Sequence, residues 1–400
     1  MSQTNKKFII IDGNALIHRS FHALPPTMTT KKGEMVNAVY GFTAALLKAL
    51  RDYKPNYVAL TLDKKGPTFR HKEYALYKAT RVKAPDDLYK QIPYVKAIAK
   101  AFNIPIYEMA GFEADDLIGT IAKKVDGQID KIILTGDLDT LQLVNEHTKV
   151  YTMSRGISDS VIYDKANVIA RFGLTPEQMI DYKALRGDPS DNIPGVRGIG
   201  EKTATELLKN FKTLDKVYRN INSKKIKERT RDLLTQHKQD AYQSKKLATI
   251  KCDVRINFNL EEAIFGNYQE SEIVKILSEL EFKSLLPRVQ NLLISNPNQT
   301  KEDKAERVIN KFARNKKLFK YYLIENDKQF SSFLNKLKKE KVFTFDVETS
   351  SFDPITADLL GVSFSWKSGI AYYLNFKNKE QETKNKKQRT KFIQLPITSK

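Results

Sequence analysis

Cysteine occurs once in 400 residues, at Cys252. No internal disulfide is available, and metal sites built on thiolates are excluded. A reducing, cytoplasmic setting fits that usage. Long apolar runs are also missing. Segments such as Phe8–Ile11 fall far short of the roughly 18 residues a membrane span needs. The N-terminus lacks the apolar core of a signal peptide. No basic amphipathic stretch shows a lipid-facing aromatic edge. A membrane partner is therefore not expected. Acid is in deficit, with 47 Asp and Glu against 68 Lys and Arg and a net charge of +21. That balance predicts a polyanionic partner. A solvated, Lys-rich surface would explain the total equally well, but not the places where the acids gather.

Hydrophobic residues make up 41% of the chain, enough for real cores, and the length suggests two or three folding units. Phe8–Ile11, Tyr57–Leu62 and Lys131–Leu134 are continuous apolar runs, as in strands buried on both faces. Helical patterns over Met35–Leu50 and Leu88–Phe102 separate them, which implies an α/β sheet. Asp12 follows the first run, Asp63 the second, and Asp137 stands just past the third. Ligands of open α/β sheets bind beyond the carboxyl ends of their strands. One such Asp could simply cap a helix; three strand ends bearing acid make capping a weaker explanation.

Glu113, Asp115 and Asp116 open a helical pattern after Gly111. Glu113 and Asp116 share one face, although acids at a helix start also complement its dipole. Asp137 and Asp139 flank a turn allowed by Gly136, and Asp139 can cap the helix after it. With Asp188 and Asp191 the pool reaches nine carboxylates. Clustered acids raise one another's pKa unless cations neutralise them, and two divalent ions about 4 Å apart both neutralise them and promote phosphoryl chemistry. Arg70, Tyr74, Lys78 and Arg81 recur at helical spacing, an alternation of charge and ring that suits single-stranded nucleic acid. A solvated helix with half-buried tyrosines fits the same pattern. His18 and His22 are one turn apart with no third soft ligand recognisable nearby. Helix packing or contact with a polyanion suits them better than a metal.

From about residue 175 the chain turns helical around Gly187–Ala204, where Gly195, Gly198 and Gly200 precede a helix. Glycines there let backbone approach a phosphate, and helix N-terminal N–H groups point at it. A plain helix–helix turn is the alternative. Ser295–Arg307 reads as a linker. Beyond it, Phe330–Leu337 reads as a helix, and Val342–Phe345, Leu359–Phe364 and Ile370–Leu374 as strands. Trp366 is expected in that fragment's core. Lys377–Lys391 is a charge run without apolar periodicity.

The order Asp12-Gly-Asn, Asp63 through Arg70, Tyr77-Lys78-Ala-Thr-Arg81, Glu113-Ala-Asp115-Asp116, Thr135-Gly-Asp137-Leu-Asp139 and the glycine-rich hairpin resembles the 5′-nuclease domains of bacterial DNA polymerases I, within the flap endonuclease superfamily. The resemblance spans about residues 6–290. Asp346-Val-Glu348 resembles the first motif of the 3′→5′ exonuclease domain found next in such polymerases, without the later motifs that complete its metal site.

The resemblance implies a mainly parallel, PIN/flap-endonuclease-like α/β catalytic domain with a helical arch over 1–180. An all-α helix-hairpin-helix region comes next over 181–294, then a linker over 295–320. An incomplete RNase H-like α/β fragment over 321–376 and a disordered basic tail over 377–400 complete the chain. It implies two Mg²⁺ ions, with Mn²⁺ as a substitute. Asp12, Asp63, Glu113 and Asp115 would serve the first, and Asp115, Asp116, Asp137, Asp139 and Asp191 the second, with Asp188 outside them. Tyr77, Lys78 and Arg81 match functional arch positions, Lys78 and Arg81 reaching the scissile phosphate. Lys202 matches a duplex phosphate contact, and K⁺ at the hairpin is a further expectation. The implied partners are 5′-flap, nicked or primer-template DNA, RNA primers and a separate DNA polymerase, met by a monomer. A PIN-like, Mg-dependent endoribonuclease is one alternative, though such domains are shorter and lack the arch plus hairpin. A non-catalytic DNA-binding fragment is the other, and the acid pool argues against it because added negative charge does not help bind a polyanion.

Overall fold

The computed structural model describes residues 5–125, 127–153, 160–295, 320–350, 357–367 and 369–376. The basic tail over 377–400, Asp353, and all but the two end residues of the linker expected over 295–320 lie outside them. Residues 1–300 and 301–400 form two compact units.

The first unit is built on β1 (Lys7–Asp12), β2 (Tyr57–Thr61), β3 (Ile106–Tyr107), β4 (Asp130–Leu134), β5 (Thr148–Met153) and β6 (Ser160–Tyr163), in spatial order β3-β2-β1-β4-β5-β6. All neighbours pair in parallel except β5 and β6. The three runs read from the sequence are β1, β2 and β4. Phe8, Ile9, Ile10 and Ile11 are all 0% exposed. Strand side chains alternate, so Ile9 and Ile11 enter one core and Phe8 and Ile10 the other. Burial of each contributes about 1.5–3 kcal/mol. This central strand accordingly fixes the sheet between two helical layers.

The helices that precede β4 are α1 (Gly13–Ala23), α2 (Asn37–Tyr53), α3 (Phe69–Glu73), α4 (Asp86–Tyr89), α5 (Ile92–Ala101) and α6 (Ala114–Lys124). Then come α7 (Lys165–Phe172), α8 (Met179–Arg186), α9 (Glu201–Phe211), α10 (Leu214–Arg219), α11 (Glu228–Gln236), α12 (Lys238–Ala248), α13 (Glu270–Glu279) and α14 (Leu286–Ser295). The pattern over Leu88–Phe102 is split between α4 and α5. The arch helix expected through Arg81 is corrected. Helix α3 stops at Glu73, and Ala75–Thr80 is a run of turns. The segment closes in turns, Tyr77 N–H to the Tyr74 carbonyl, Ala79 to Leu76 and Arg81 to Lys78, while the Lys78 N–H leaves it for the Asp191 carbonyl at 2.9 Å.

In the second unit, β7 (Lys320–Ile324), α15 (Asp327–Leu337), β8 (Thr344–Thr349), β9 (Leu359–Lys367) and β10 (Ile370–Asn375) form a sheet in order β7-β10-β9-β8. Phe333 of α15 packs on Phe364, Trp366 and Tyr372, with Trp366 stacked on Tyr372 at 4.5 Å. β7 had no counterpart in the sequence reading. Among the described residues no helix is long and apolar enough to cross a membrane.

Candidate active site

The central position of β1 brings the acids together. Asp12 ends β1, Asp63 lies two residues beyond β2, and Asp137 lies three beyond β4. These three strands are adjacent, about 4.8 Å from one to the next. Helix α6 enters beside them, and its first N–H groups face the strand ends. The Ala114 N–H donates to Asp63 Oδ1 at 2.7 Å. Asp12, Asp63, Glu113, Asp115 and Asp137 therefore line one cavity of about 540 Å³, together with Asn14, His18, Arg19, Lys78 and Arg81.

Several of these acids also hold the backbone. Asp12 caps α1, accepting from the Ala15 N–H at 3.0 Å, while its other oxygen accepts from the Thr135 hydroxyl at 2.6 Å. Asp137, rather than Asp139, caps the 3₁₀ turn Leu138–Leu143, accepting from the Asp139 N–H at 2.9 Å. That corrects the capping role expected of Asp139. Glu113 and Asp116 form a capping box on α6.

Burial pushes Asp12 up to about 7, with Asp137 and Asp63 adding repulsion against the hydrogen bonds from Thr135 and Ala15. Asp139 is likewise pushed up to about 7, by burial first and then by Asp137, although Lys183 pulls the other way. Asp115 rises well above the ordinary carboxylate range through burial and the charges of Asp12, Asp137, Asp139 and Glu113. These acids sense one another as a single negative cluster.

Cations of the protein hold the rest. Lys183 of α8 pairs with Asp139 and, at 2.7 Å, with Asp188. Burial would raise Asp188, but Lys183 and the Ser190 donors outweigh it and bring it down to about 2. Lys78 Nζ lies 2.7 Å from Glu113, and Arg81 pairs with Asp191. Tyr77 is buried, its hydroxyl 3.0 Å from Glu113 and 3.1 Å from Asp191, so its ring is not presented to a partner. Tyr74 is half-buried against the small apolar cluster of Tyr77, Ile193, Leu247 and Ala248.

Two expected roles are corrected outright. Arg70 is 3% exposed and Asp116 0% exposed. The guanidinium grips both Asp116 oxygens at 2.8 Å, and those oxygens also accept from the Glu113 and Lys251 N–H groups. Asp116 has no free lone pair facing the cavity, and Arg70 cannot reach a nucleic acid. Both are pillars of the site.

The hairpin joins α8 to α9. Asp188 and Ile193 form an antiparallel bridge. Gly187, Gly195 and Gly198 have φ of 76°, 64° and 88°. A Cβ on Gly195 would stand 2.2 Å from the Gly187 nitrogen, so this close approach admits only glycine. Gly200 is the N-cap of α9 with open space where a side chain would be, and Lys202 is exposed beside it.

Among the described residues no three acids stand close enough to hold an ion between them as they are placed, and protein cations pair with Glu113, Asp139, Asp188 and Asp191. The donor set nevertheless fits a hard divalent ion. It is all carboxylate oxygen, and the acids that line the cavity repel one another without one. His18 also lines it; burial, then His22 and Arg81, lower its pKa. His22 is exposed and stacks edge-on against Phe21. Sequence reasoning missed Lys183, Thr135, Asn14 and Arg19. Lys183 had a faint signal, a cation one helical turn ahead of Gly187-Asp188. Thr135 had none.

The family model described as "5'-3' exonuclease, N-terminal resolvase-like domain" matches residues 7–173, and "5'-3' exonuclease, C-terminal SAM fold" matches residues 174–271. The chain is 44% identical over 286 residues to DNA polymerase I of Caldicellulosiruptor bescii, covering 71% of this chain and 33% of that protein. It is 36% identical over 393 residues to DNA polymerase I of Chloroflexus aurantiacus, covering 92% of this chain and 41% of that one. It thus spans 33% to 41% of the length of these relatives. Among solved structures, a bacteriophage T5 flap endonuclease variant, in a pseudo-enzyme-product complex with DNA and metal ions, shares the fold. The TM-score is 0.51 at 20% identity, over 69% of this chain and 100% of that one.

Proposed function

Residues 7–271 belong to the 5′-3′ exonuclease family, and from that premise we propose that the chain is a structure-selective, sequence-tolerant 5′ nuclease acting on displaced DNA flaps and RNA primers. The observation that carries this reading is the single cavity in which acids from three strand ends and the start of α6 meet beneath Lys78 and Arg81.

Asp12, Asp63, Glu113 and Asp115 would hold one divalent ion. Asp115, Asp137, Asp139 and Asp191 would hold the second, with Asp188 supporting through Lys183. Mg²⁺ is the resident ion on this reading, with Mn²⁺ as a substitute, because the donors are hard oxygens. When bound, the ions neutralise the charge of the phosphodiester and favour in-line displacement.

The protein's own residues do the rest. Lys78 and Arg81 contact the phosphate to be cut. The open N-terminus of α9 and Lys202 grip a duplex phosphate without reading bases, and K⁺ would be held by the backbone there. Asp12 is fixed in place by Thr135 and the start of α1, so it does not swing away as substrate enters. A monomer in the cytoplasm completes the proposal.

The test is Mg²⁺-dependent cleavage of a 5′-flap duplex against single-stranded RNA of matched length. Flap cleavage yielding 5′-phosphate and 3′-hydroxyl ends supports the reading. Preference for the RNA would favour a PIN-like ribonuclease instead.

A further inference from the structure

The segment Tyr74–Arg81 is fastened across the mouth of the cavity by the acids it faces. Arg81 pairs with Asp191 and donates through Nε to the Ser190 carbonyl at 3.2 Å. Lys78 Nζ lies 2.7 Å from Glu113 and 3.8 Å from Asp191. Uncharged contacts add to these, among them the buried Tyr77 hydroxyl at 3.0 Å from Glu113 and 3.1 Å from Asp191. The Lys78 N–H donates to the Asp191 carbonyl at 2.9 Å, and Asn192 Nδ2 donates to the Leu76 carbonyl at 2.7 Å. Lys78 is held at φ 56°, a left-handed conformation that a lysine keeps only while its surroundings enforce it.

Glu113 and Asp191 thus have two claimants. The strap's cations hold them here, and the two-ion reading above, on which this inference rests, assigns the same carboxylates to divalent ions. A doubly charged ion at those oxygens would stand beside an ammonium and a guanidinium, and like charges at such range repel.

We propose that residues 74–81 are a strap held shut by Glu113 and Asp191, and that a divalent cation releases it by taking those carboxylates, which frees Lys78 and Arg81 for a phosphate. Coupling between sites is reciprocal. The closed strap must therefore weaken cation binding by the factor with which the cation opens the strap.

Val82 is 95% exposed and adjoins the strap, so a nitroxide on Val82→Cys in a Cys252→Ser background reports strap motion without any turnover. Ca²⁺ is titrated while the spectrum is monitored, with calorimetry in parallel. The expected result is a fast-motion component that grows and saturates with the calorimetric Kd. Arg81→Gln should show that component before Ca²⁺ is added and should bind Ca²⁺ about tenfold more tightly, within the ordinary range of inter-site coupling. If Arg81→Gln does not fold, Asn192→Ala, which carries no charge change, should show a smaller shift in the same directions. Normal Ca²⁺ heats with an unchanged spectrum would overturn the strap and leave the metal reading standing. Weaker Ca²⁺ binding in the folded variants would overturn it too. No Ca²⁺ binding at all would remove the two-ion reading, and the strap with it.

Discussion

Arg70 and Asp116 form a two-pronged ion pair in the interior, Nη1 to Oδ2 and Nη2 to Oδ1, both at 2.8 Å. The same guanidinium donates to the Leu247 and Thr249 carbonyls at 2.8 and 3.0 Å. One side chain therefore ties α3, the start of α6 and the end of α12 together beneath the cavity.

Removing one partner of a buried pair strands the other charge, at a cost of about 3–5 kcal/mol. Arg70→Ala should lower stability by that order in urea unfolding. At a temperature where it remains folded, its affinity for flap DNA should match wild type. A variant that keeps its stability but loses DNA affinity would return Arg70 to the binding surface.

Asp115 and Asp139 carry the opposite expectation. Both are pushed up by burial and then by neighbouring acids, Asp139 in spite of its pair with Lys183. Asp115→Asn or Asp139→Asn should cut single-turnover flap cleavage by about 10³-fold or more, the scale of several kcal/mol of lost charge stabilisation. Binding measured in Ca²⁺ should stay near wild type. Most activity surviving in both variants would remove the two-metal assignment.

The raised carboxyls also set a pH dependence. In the folded protein Asp12 and Asp139 titrate near about 7, chiefly through burial. In the unfolded chain an aspartate titrates near about 3.9. A raised carboxyl contributes its stability fully below the unfolded value, and loses it as pH climbs through the folded one. Without divalent ions, Tm should fall from pH 5 to 8. With Mg²⁺ the fall should flatten or reverse, since ions bind only the ionised form. Calorimetry at several pH values checks both slopes, and a Tm that rises with pH without added ion would contradict the assignment.

Lys78 and Arg81 face the cavity, whereas Lys202 lies exposed beside the open start of α9. Lys78→Ala and Arg81→Ala should slow cleavage by about 10²-fold or more with little change in duplex affinity. Lys202→Ala should weaken binding across sequences and reduce the salt slope by about 1. Three variants with the same loss of affinity and no rate defect would erase the distinction.

The parts of this architecture that repeat a simple rule were legible. Continuous apolar runs gave β1, β2 and β4, and acid at each strand end gave the cavity. Short or ordinary-looking strands were not. β3 is two residues, Ile106–Tyr107, and β7 is the mixed run Lys320–Ile324. Spacing alone could not separate Asp115 from Asp116. Adjacent helical positions point about 100° apart, and only packing against α3 reveals that Asp116 turns inward to Arg70. The helix expected through Arg81 failed for a related reason. Tyr77, Lys78 and Arg81 do act together, but through bonds to Glu113 and Asp191, residues distant in sequence that no local periodicity reports.

The second unit yields the last prediction. Asp346 and Glu348 lie two apart on β8, on one face of the strand, and the whole strand is exposed. Their partners across β9 are Ser363 and Gly361. Between Leu359 and Lys367 that neighbouring strand has no acid at all. Two carboxylates from a single strand supply too few oxygens to fix a pair of ions, and the two-ion reading proposed for the first unit draws acids from several elements. β8 pairs only with β9 among the described residues, so its other edge offers unpaired backbone groups rather than further ligands. This polypeptide should therefore show no 3′→5′ exonuclease activity, and deleting residues 308–400 should leave flap cleavage intact. The measurement is degradation of a 3′-labelled single strand in Mg²⁺ or Mn²⁺, wild type against Asp346→Ala. Trimming from the 3′ end that vanishes in the variant would show that these two acids are a working site and that the count of ligands on β8 and β9 misses their partners.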